Sequence, residues 1–304
     1  MRHVYECPVR RADLHSGGTV SNVAYVDYLQ EARLDVLRRR DSAVSARPGE
    51  GLVVVGTVIE YLRPITLGAR PLYVASWVTD VRAASFTLGY ELFTRPAEAD
   101  APVVHARATT SLTPYDFGLE RPRRLTADER SRLMEGQEPS PFPDRERPPR
   151  PAPWDDGAWC QPQLVRFSDI DLLGHVNNVR YLDYVQEATT NLLLDCLREA
   201  AVDGQVDFVV ARTEIDYLGQ MNLRPEPYLV WARVTHVGTT SVTFEAEIRD
   251  GERVMARCRS VEVSLDENDR PLPHITEHRA AFERRREAAV GSLTQGLEHE
   301  LAPR

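Results

Sequence analysis

Residues 165–188 read VRFSDIDLLGHVNNVRYLDYVQEA, and residues 9–32 read VRRADLHSGGTVSNVAYVDYLQEA. The two stretches align without a gap at a fixed offset (165 − 9 = 156). The register persists downstream. Ile59-Glu60-Tyr61-Leu62 falls on Ile215-Asp216-Tyr217-Leu218, and Ser85 and Thr87 fall on Ser241 and Thr243. An unbroken register over such a distance means two copies of one folded unit.

Each copy shows the same order of elements. A short strand is expected at 4–11 and at 164–167, then a polar loop with glycines, then a helix. In the second copy the apolar residues Tyr181, Tyr184, Val185, Ala188, Leu192 and Cys196 mark one helical face. Tyr25, Tyr28, Leu29, Ala32 and Val36 repeat that face in the first copy. Ser21 or Asn22, and Asn177 or Asn178, stand where an N-cap belongs. Four strand-like runs rich in Val, Thr, Tyr and Trp follow each helix. They fall at 52–61, 72–80, 85–93 and 103–112, then at 207–217, 228–236, 241–249 and 253–265. Asp250-Gly251 marks the last hairpin. Short turns between consecutive strands imply an antiparallel sheet, and one long helix per sheet implies an α+β architecture.

Residues 120–159 are dense in Pro and Arg and read as a linker between an N-terminal domain at 1–119 and a C-terminal domain at 160–275. A short helix near 127–134 fits within it. A charged helix and tail are expected over 276–304. The 304 residues carry a formal net charge of −9, which argues against a nucleic-acid partner. All 37 Lys+Arg residues are Arg, a bias that reads as GC-rich coding and weakens any argument from a single arginine. The 4 cysteines show no paired spacing, so neither a disulfide framework nor a zinc site is expected. No apolar signal core or membrane-spanning run stands out, so a cytoplasmic protein without membrane insertion is expected.

The loop residues Asp169, Asp171, Gly174, His175, Val176, Asn177 and Asn178 spell DxDxxGHVNN. With Tyr181, Tyr184, Glu187-Ala188 and the Asp216-Tyr217 strand, this pattern resembles that of hotdog-fold thioesterases. The likeness is to the 4-hydroxybenzoyl-CoA thioesterase-like branch and, in its tandem layout, to acyl-ACP thioesterases. It implies two hotdog domains in tandem, each a five-stranded antiparallel sheet wrapped around a long central helix. It also implies that the units pair side by side with the site at their junction. Further association through hydrophobic sheet or helix surfaces into a homodimer of the tandem chain is expected. The substrate would be an acyl-CoA or acyl carrier protein thioester, and no cofactor or metal is required.

A thioester is already an activated carbonyl, so its hydrolysis needs a base or nucleophile and a donor for the oxyanion. A carboxylate just before a helix whose first N–H groups are free supplies both. By resemblance, Asp171 is the base or nucleophile, the N–H near Asn178 polarises the carbonyl, and His175 orients Asp171 or donates to substrate. Gly174, Asn177, Tyr181, Glu60, Tyr61 and Arg63 are candidate substrate-binding residues. The structural alternatives stay open. Asp171 could cap a turn, His175 could be an ordinary loop histidine, Asn177 and Asn178 could serve the helix start, and Asp169 is expected to fix the loop.

Copy one lacks this set. His15, Thr19 and Ser21 replace Asp171, His175 and Asn177, which implies a silent site, with His15 as a base near neutral pH the open alternative. The second copy departs from plant-type acyl-ACP thioesterases too. Leu173 stands where that branch has Asn, and Gln220-Met221 stands where it has Glu-Cys. Two rival classes are a non-hydrolytic acyl-binding or regulatory hotdog protein and a hotdog hydratase or dehydratase, whose His and Asp/Glu arrangement is absent.

Overall fold

A computed structural model describes residues 2–15, 17–39, 49–68, 71–95, 101–142, 154, 158–201 and 207–300. Contacts divide the chain into two units, Met1–Arg145 and Glu146–Arg304.

The N-terminal unit runs β1 (His3–Cys7), α1 (Asn22–Arg39), β2 (Glu50–Tyr61), β3 (Leu72–Val81), β4 (Phe86–Thr94), β5 (Val103–Asp116), β6 (Arg121–Pro122) and α2 (Ala127–Met134). Its sheet is antiparallel in the order β1-β3-β4-β5-β2, with β6 added to the end of β5. Side chains alternate along each strand. Val74, Val78, Leu88, Leu92, Ala106, Ala108 and Leu112 therefore share one face, where they form a buried core with Tyr25, Tyr28, Leu29 and Ala32 of α1.

The C-terminal unit repeats this plan as β7 (Trp159–Gln163), α3 (Asn178–Ala200), β8 (Asp207–Tyr217), β9 (Tyr228–Val237), β10 (Ser241–Asp250), β11 (Arg253–Leu265) and α4 (Thr276–Glu300). Its sheet order is β8-β11-β10-β9-β7, antiparallel throughout. The apolar stripe of α3 is buried as its spacing predicts: Tyr181, Tyr184, Val185, Ala188, Leu192 and Cys196 are all 4% exposed or less. Burial of each large aliphatic side chain contributes roughly 1.5–3 kcal/mol. Even the irregularities repeat. A bulge between Leu92 and Phe93 recurs between Ile248 and Arg249, where it raises the local twist.

Three expectations need correction. The first strand of the second copy lies at Trp159–Gln163, not at 164–167, because Arg166 already opens a 3-10 turn closed by Asp169. In the first copy the strand stops at Cys7, ahead of the matching turn at Arg11–Asp13. The early part of the expected linker belongs to the N-terminal unit. There α2 starts with a capping box between Thr126 and Glu129, Arg123 bridges Glu129 and Glu50, and Trp77 Nε1 donates to the Pro139 carbonyl (2.9 Å). Residues 143–153 and 155–157 of that linker lie outside the described residues. The expected C-terminal helix exists as α4. It packs on α3 and β9, with Ala281 and Phe282 fully buried, and is part of the unit. The tail beyond Glu300 lies outside the described residues. Among the described residues no helix is long and apolar enough to cross a membrane.

Candidate active site

The loop of the second copy is built around two aspartates with different tasks. Asp169 is buried, and its Oδ2 accepts from Tyr184 Oη (2.7 Å) and from the Arg166 amide (2.8 Å). Its carbonyl accepts from the Asn177 amide (2.8 Å). Asp169 therefore ties the 3-10 turn, the loop and α3 together, as the structural reading of this residue expects. Asp13 does the same in the first copy, accepting from Tyr28 Oη and the Arg10 amide, each at 2.7 Å.

Asp171 is half-buried at the entry of a tight turn. Its Oδ1 accepts from the Leu173 amide (2.8 Å) and, at a longer 3.4 Å, from the His175 amide. Its own amide donates to the His175 carbonyl (2.8 Å), and its carbonyl accepts from the Gly174 amide (3.1 Å). The turn-capping alternative is thus real for one carboxylate oxygen. Asp171 Oδ2 has no hydrogen-bond partner among the described residues. Gly174 completes the turn with φ +82°, and a Cβ there would meet nothing within 4 Å. The glycine is required by backbone conformation and not by close packing.

His175 meets Asp171 through its main chain. Its imidazole makes no hydrogen bond among the described residues, so it does not orient the carboxylate in this structure. Asn177 is the N-cap of α3, with Oδ1 accepting from the Val179 amide (3.1 Å). Asn178 is the first helical residue, and its N–H has no acceptor among the described residues. Tyr181 is 4% exposed, with both roles of its hydroxyl in use. It donates to the Gly219 carbonyl (3.0 Å) and accepts from the Met221 amide (2.8 Å). Burial is the main reason the Tyr181 phenol is pushed up, and the negative charge of Asp171 adds to that rise.

The sequence reading missed the role of residues 219–221. The Val176 amide donates to the Met221 carbonyl (2.9 Å), so this short segment holds the loop and Tyr181 at once. The repeat register carries the signal. Ile65, the counterpart of Met221, accepts from the Val20 amide (2.8 Å), and the Arg63 carbonyl, the counterpart of Gly219, receives Tyr25 Oη at 3.5 Å. Arg63 itself is exposed, and Tyr61 packs edge-on against Tyr25 with centroids 5.1 Å apart. Glu60 lies on β2, opposite Arg107 of β5.

In the first copy the equivalent turn is closed differently. His15 Nδ1 accepts from the Gly17 amide (2.9 Å), and Nε2 lies 2.6 Å from Thr19 Oγ1. Both ring nitrogens are occupied. A Cβ at Gly17 would sit 2.6 Å from His15 Cε1, so the imidazole excludes a side chain where the second copy has Leu173. The surroundings differ as well. Phe167 is 83% exposed and Leu172 and Leu173 lie open beside Asp171, whereas the first copy has Arg11, Ser16 and Gly17 at those positions.

The sequence profile of the Thioesterase-like superfamily matches residues 9–156 and again residues 165–283. No curated protein gives a significant match. Among solved structures, a protein provisionally described as an oleoyl thioesterase from Lactobacillus plantarum superposes with a TM-score of 0.69 at 16% identity, covering 88% of this chain and 98% of its own. The 12:0-ACP thioesterase from Umbellularia californica gives 0.68 at 15% identity, covering 87% and 94%. An acyl-ACP thioesterase from Bacteroides thetaiotaomicron gives 0.64 at 14%, covering 86% and 97%. At these identities the likeness speaks for the fold. Matched twice in one sequence, with the same order of strands and helix built twice, the chain belongs to the thioesterase-like superfamily and carries two hotdog units in tandem.

Proposed function

We propose that the protein is an acyl thioesterase that hydrolyses an acyl-CoA or acyl carrier protein thioester to the free acid and the thiol, with Asp171 as general base or nucleophile. The observation that carries this reading is the divided use of the Asp171 carboxylate. Oδ1 is spent on the turn, which fixes the group, while Oδ2 is left without a hydrogen-bond partner among the described residues. The nearby start of α3 supports an oxyanion donor in the Asn178 N–H, reinforced by the positive end of the helix dipole. Names of the structural neighbours support an acyl substrate, since two of them act on acyl-ACP by their descriptions.

Two routes are consistent with this arrangement. With Asp171 as base, Oδ2 takes a proton from water as the oxygen attacks the thioester carbon. The oxyanion rests on the Asn178 N–H, and its collapse expels the thiolate, which recovers the proton from Asp171. With Asp171 as nucleophile, Oδ2 forms a mixed anhydride, the thiolate leaves, and water cleaves the anhydride. Gly174 and Asn177 hold the loop, Tyr181 backs it, and His175 is free to donate to the substrate. Glu60, Tyr61 and Arg63 are assigned as further substrate contacts. The open apolar side chains of Phe167, Leu172 and Leu173 give the apolar part of a substrate a place to rest. The protein is proposed to work in the cytoplasm as a homodimer of the tandem chain, without a cofactor.

A second reading, a non-hydrolytic acyl-binding protein, is favoured by one fact: Asp171 also serves the turn. The test is thiol release from acyl-CoA and acyl carrier protein thioesters of graded chain length. Thiol release above the uncatalysed rate supports hydrolysis. Saturable acyl-CoA binding with no thiol release supports the binding protein and overturns the first reading.

A further inference from the structure

The helix–sheet interior of the N-terminal unit contains a group of polar side chains that the rest of that core does not explain. Ser76 on β3 lies directly opposite Tyr90 on β4, and Tyr90 lies opposite Ala108 on β5. Thr110 is two residues beyond Ala108 and so projects from the same face. This is the face of Val74, Leu88 and Leu92, the one packed against α1. Ser76, Tyr90 and Thr110 are 2%, 0% and 1% exposed, and among the described residues none of their three hydroxyls has a hydrogen-bond partner at good distance and angle. From α1, Arg33 enters the same region at 7% exposure. Burial pushes the Tyr90 phenol up, while the charge of the Arg33 guanidinium and loose hydrogen-bonding contacts with Arg33 and the Thr110 hydroxyl act against that rise. Among the described residues Arg33 makes no ion pair.

A buried guanidinium without a counter-charge and buried hydroxyls without good partners each oppose folding. Together they set one unbalanced positive charge among three neutral hydroxyls. The C-terminal unit shows that the fold does not demand it. There the strand register puts Thr189, Ala232, Ala246 and Ser260 at the four positions; Thr189 satisfies itself on the Gln186 carbonyl (3.2 Å), and Ser260 Oγ alone is left without a partner among them. The unit that lacks the Asp171 counterpart thus carries an arginine and a tyrosine at positions where its twin has threonine and alanine.

We propose that Arg33, Ser76, Tyr90 and Thr110 form a buried binding site for a compact monoanion. The guanidinium neutralises the charge and the three hydroxyls donate to it. Arg33 supplies planar N–H donors, which suits a carboxylate, and the converging hydroxyls suit a halide equally. The shared chemistry is a single small negative charge that accepts hydrogen bonds on several sides. The site is independent of hydrolysis and does not involve Asp171.

The test uses the full chain with sodium bromide and sodium acetate as probes. Crystals grown in bromide should show an anomalous peak within hydrogen-bonding distance of Arg33 and Tyr90 Oη. Melting temperature should rise with the logarithm of anion concentration in the wild type and not in Arg33→Met, a comparison that cancels general salt effects. A stronger response to acetate than to bromide assigns the site to carboxylates, and the reverse assigns it to halides. Neutral water alone among the four groups, with equal salt responses in wild type and variant, would overturn the proposal. Should Arg33→Met fail to fold, Tyr90→Phe and Thr110→Val each remove one donor with little change of shape. A weakened anion response in both supports the site, and an unchanged response in both overturns it.

Discussion

Gly174 and Gly18 are the same residue in two copies of one turn, and mutating both separates catalysis from folding. Their φ angles are +82° and +78°, and a Cβ at either would meet nothing within 4 Å. An L-residue there suffers no clash, so the penalty is backbone strain alone, roughly 1–2 kcal/mol for alanine. Valine is worse because its branched Cβ is poorly tolerated at positive φ. At about 2–4 °C per kcal/mol for a domain of this size, alanine at either site should lower the melting temperature by about 2–8 °C. Relief of the strain would re-aim the turn that holds Asp171 through the Leu173 and His175 amides. A displacement of about 1 Å at a reacting group can cost ~100-fold in rate. Gly174→Val should therefore lose both stability and turnover, and Gly18→Val should lose similar stability with turnover changed a few-fold at most. Asparagine, which tolerates this conformation, should be the mildest replacement at both sites. Calorimetry and a thiol-release assay on the variants read the two effects separately. Equal losses of turnover from Gly18→Val and Gly174→Val, or normal turnover in Gly174→Val, would refute the reasoning.

Tyr184→Phe removes an O–H donor from the buried Asp169 carboxylate, and Tyr28→Phe does the same to Asp13. Each should cost about 1.5–3 kcal/mol by denaturant titration. Asp171→Ala should be less stable than Asp171→Asn by about 1 kcal/mol, because asparagine Oδ1 can still cap the turn; equal stability would remove the turn-holding role. Burial pushes the Glu262 carboxyl up to about 7 from its ordinary 4.5. The unfolded chain therefore gives up that proton at lower pH than the folded one. The stability this group contributes is full below 4.5 and is lost as pH rises to about 7. Glu262→Gln should raise the melting temperature at pH 8 and change it little at pH 4. Gly17→Leu should displace the His15 ring, because the new Cβ would sit 2.6 Å from Cε1; an imidazole NMR signal unchanged from wild type would contradict this.

The repeated fold was legible because apolar spacing and offset speak directly. The stripe through Tyr181, Tyr184, Val185 and Ala188 gives α3, and the strand runs at 207–217 and 253–265 match β8 and β11 residue for residue. Strand edges near the loops were less legible. Residues 164–167 look extended in sequence, yet the Asp169 carboxylate draws Arg166 into a turn that no local propensity announces. Residues 121–142 look like spacer in composition, but tertiary contacts through Arg123, Glu129 and Trp77 hold them to the first sheet. Within the site, the positions of Asp171, Gly174 and Asn177 follow from turn and cap chemistry. The dual use of the Tyr181 hydroxyl on residues 219 and 221 depends on a contact 38 to 40 residues away, which spacing alone does not reveal.

The central claim is that one copy works and the other is silent, and paired substitution of the loop residues tests it most directly. Turnover of an acyl thioester should be measured for Asp171→Asn and His15→Ala beside the wild type, with circular dichroism to establish folding. The account predicts a loss of roughly 10²–10⁴-fold for Asp171→Asn and a change of several-fold at most for His15→Ala. Equal losses from the two substitutions, or full activity in a folded Asp171→Asn protein, would contradict it.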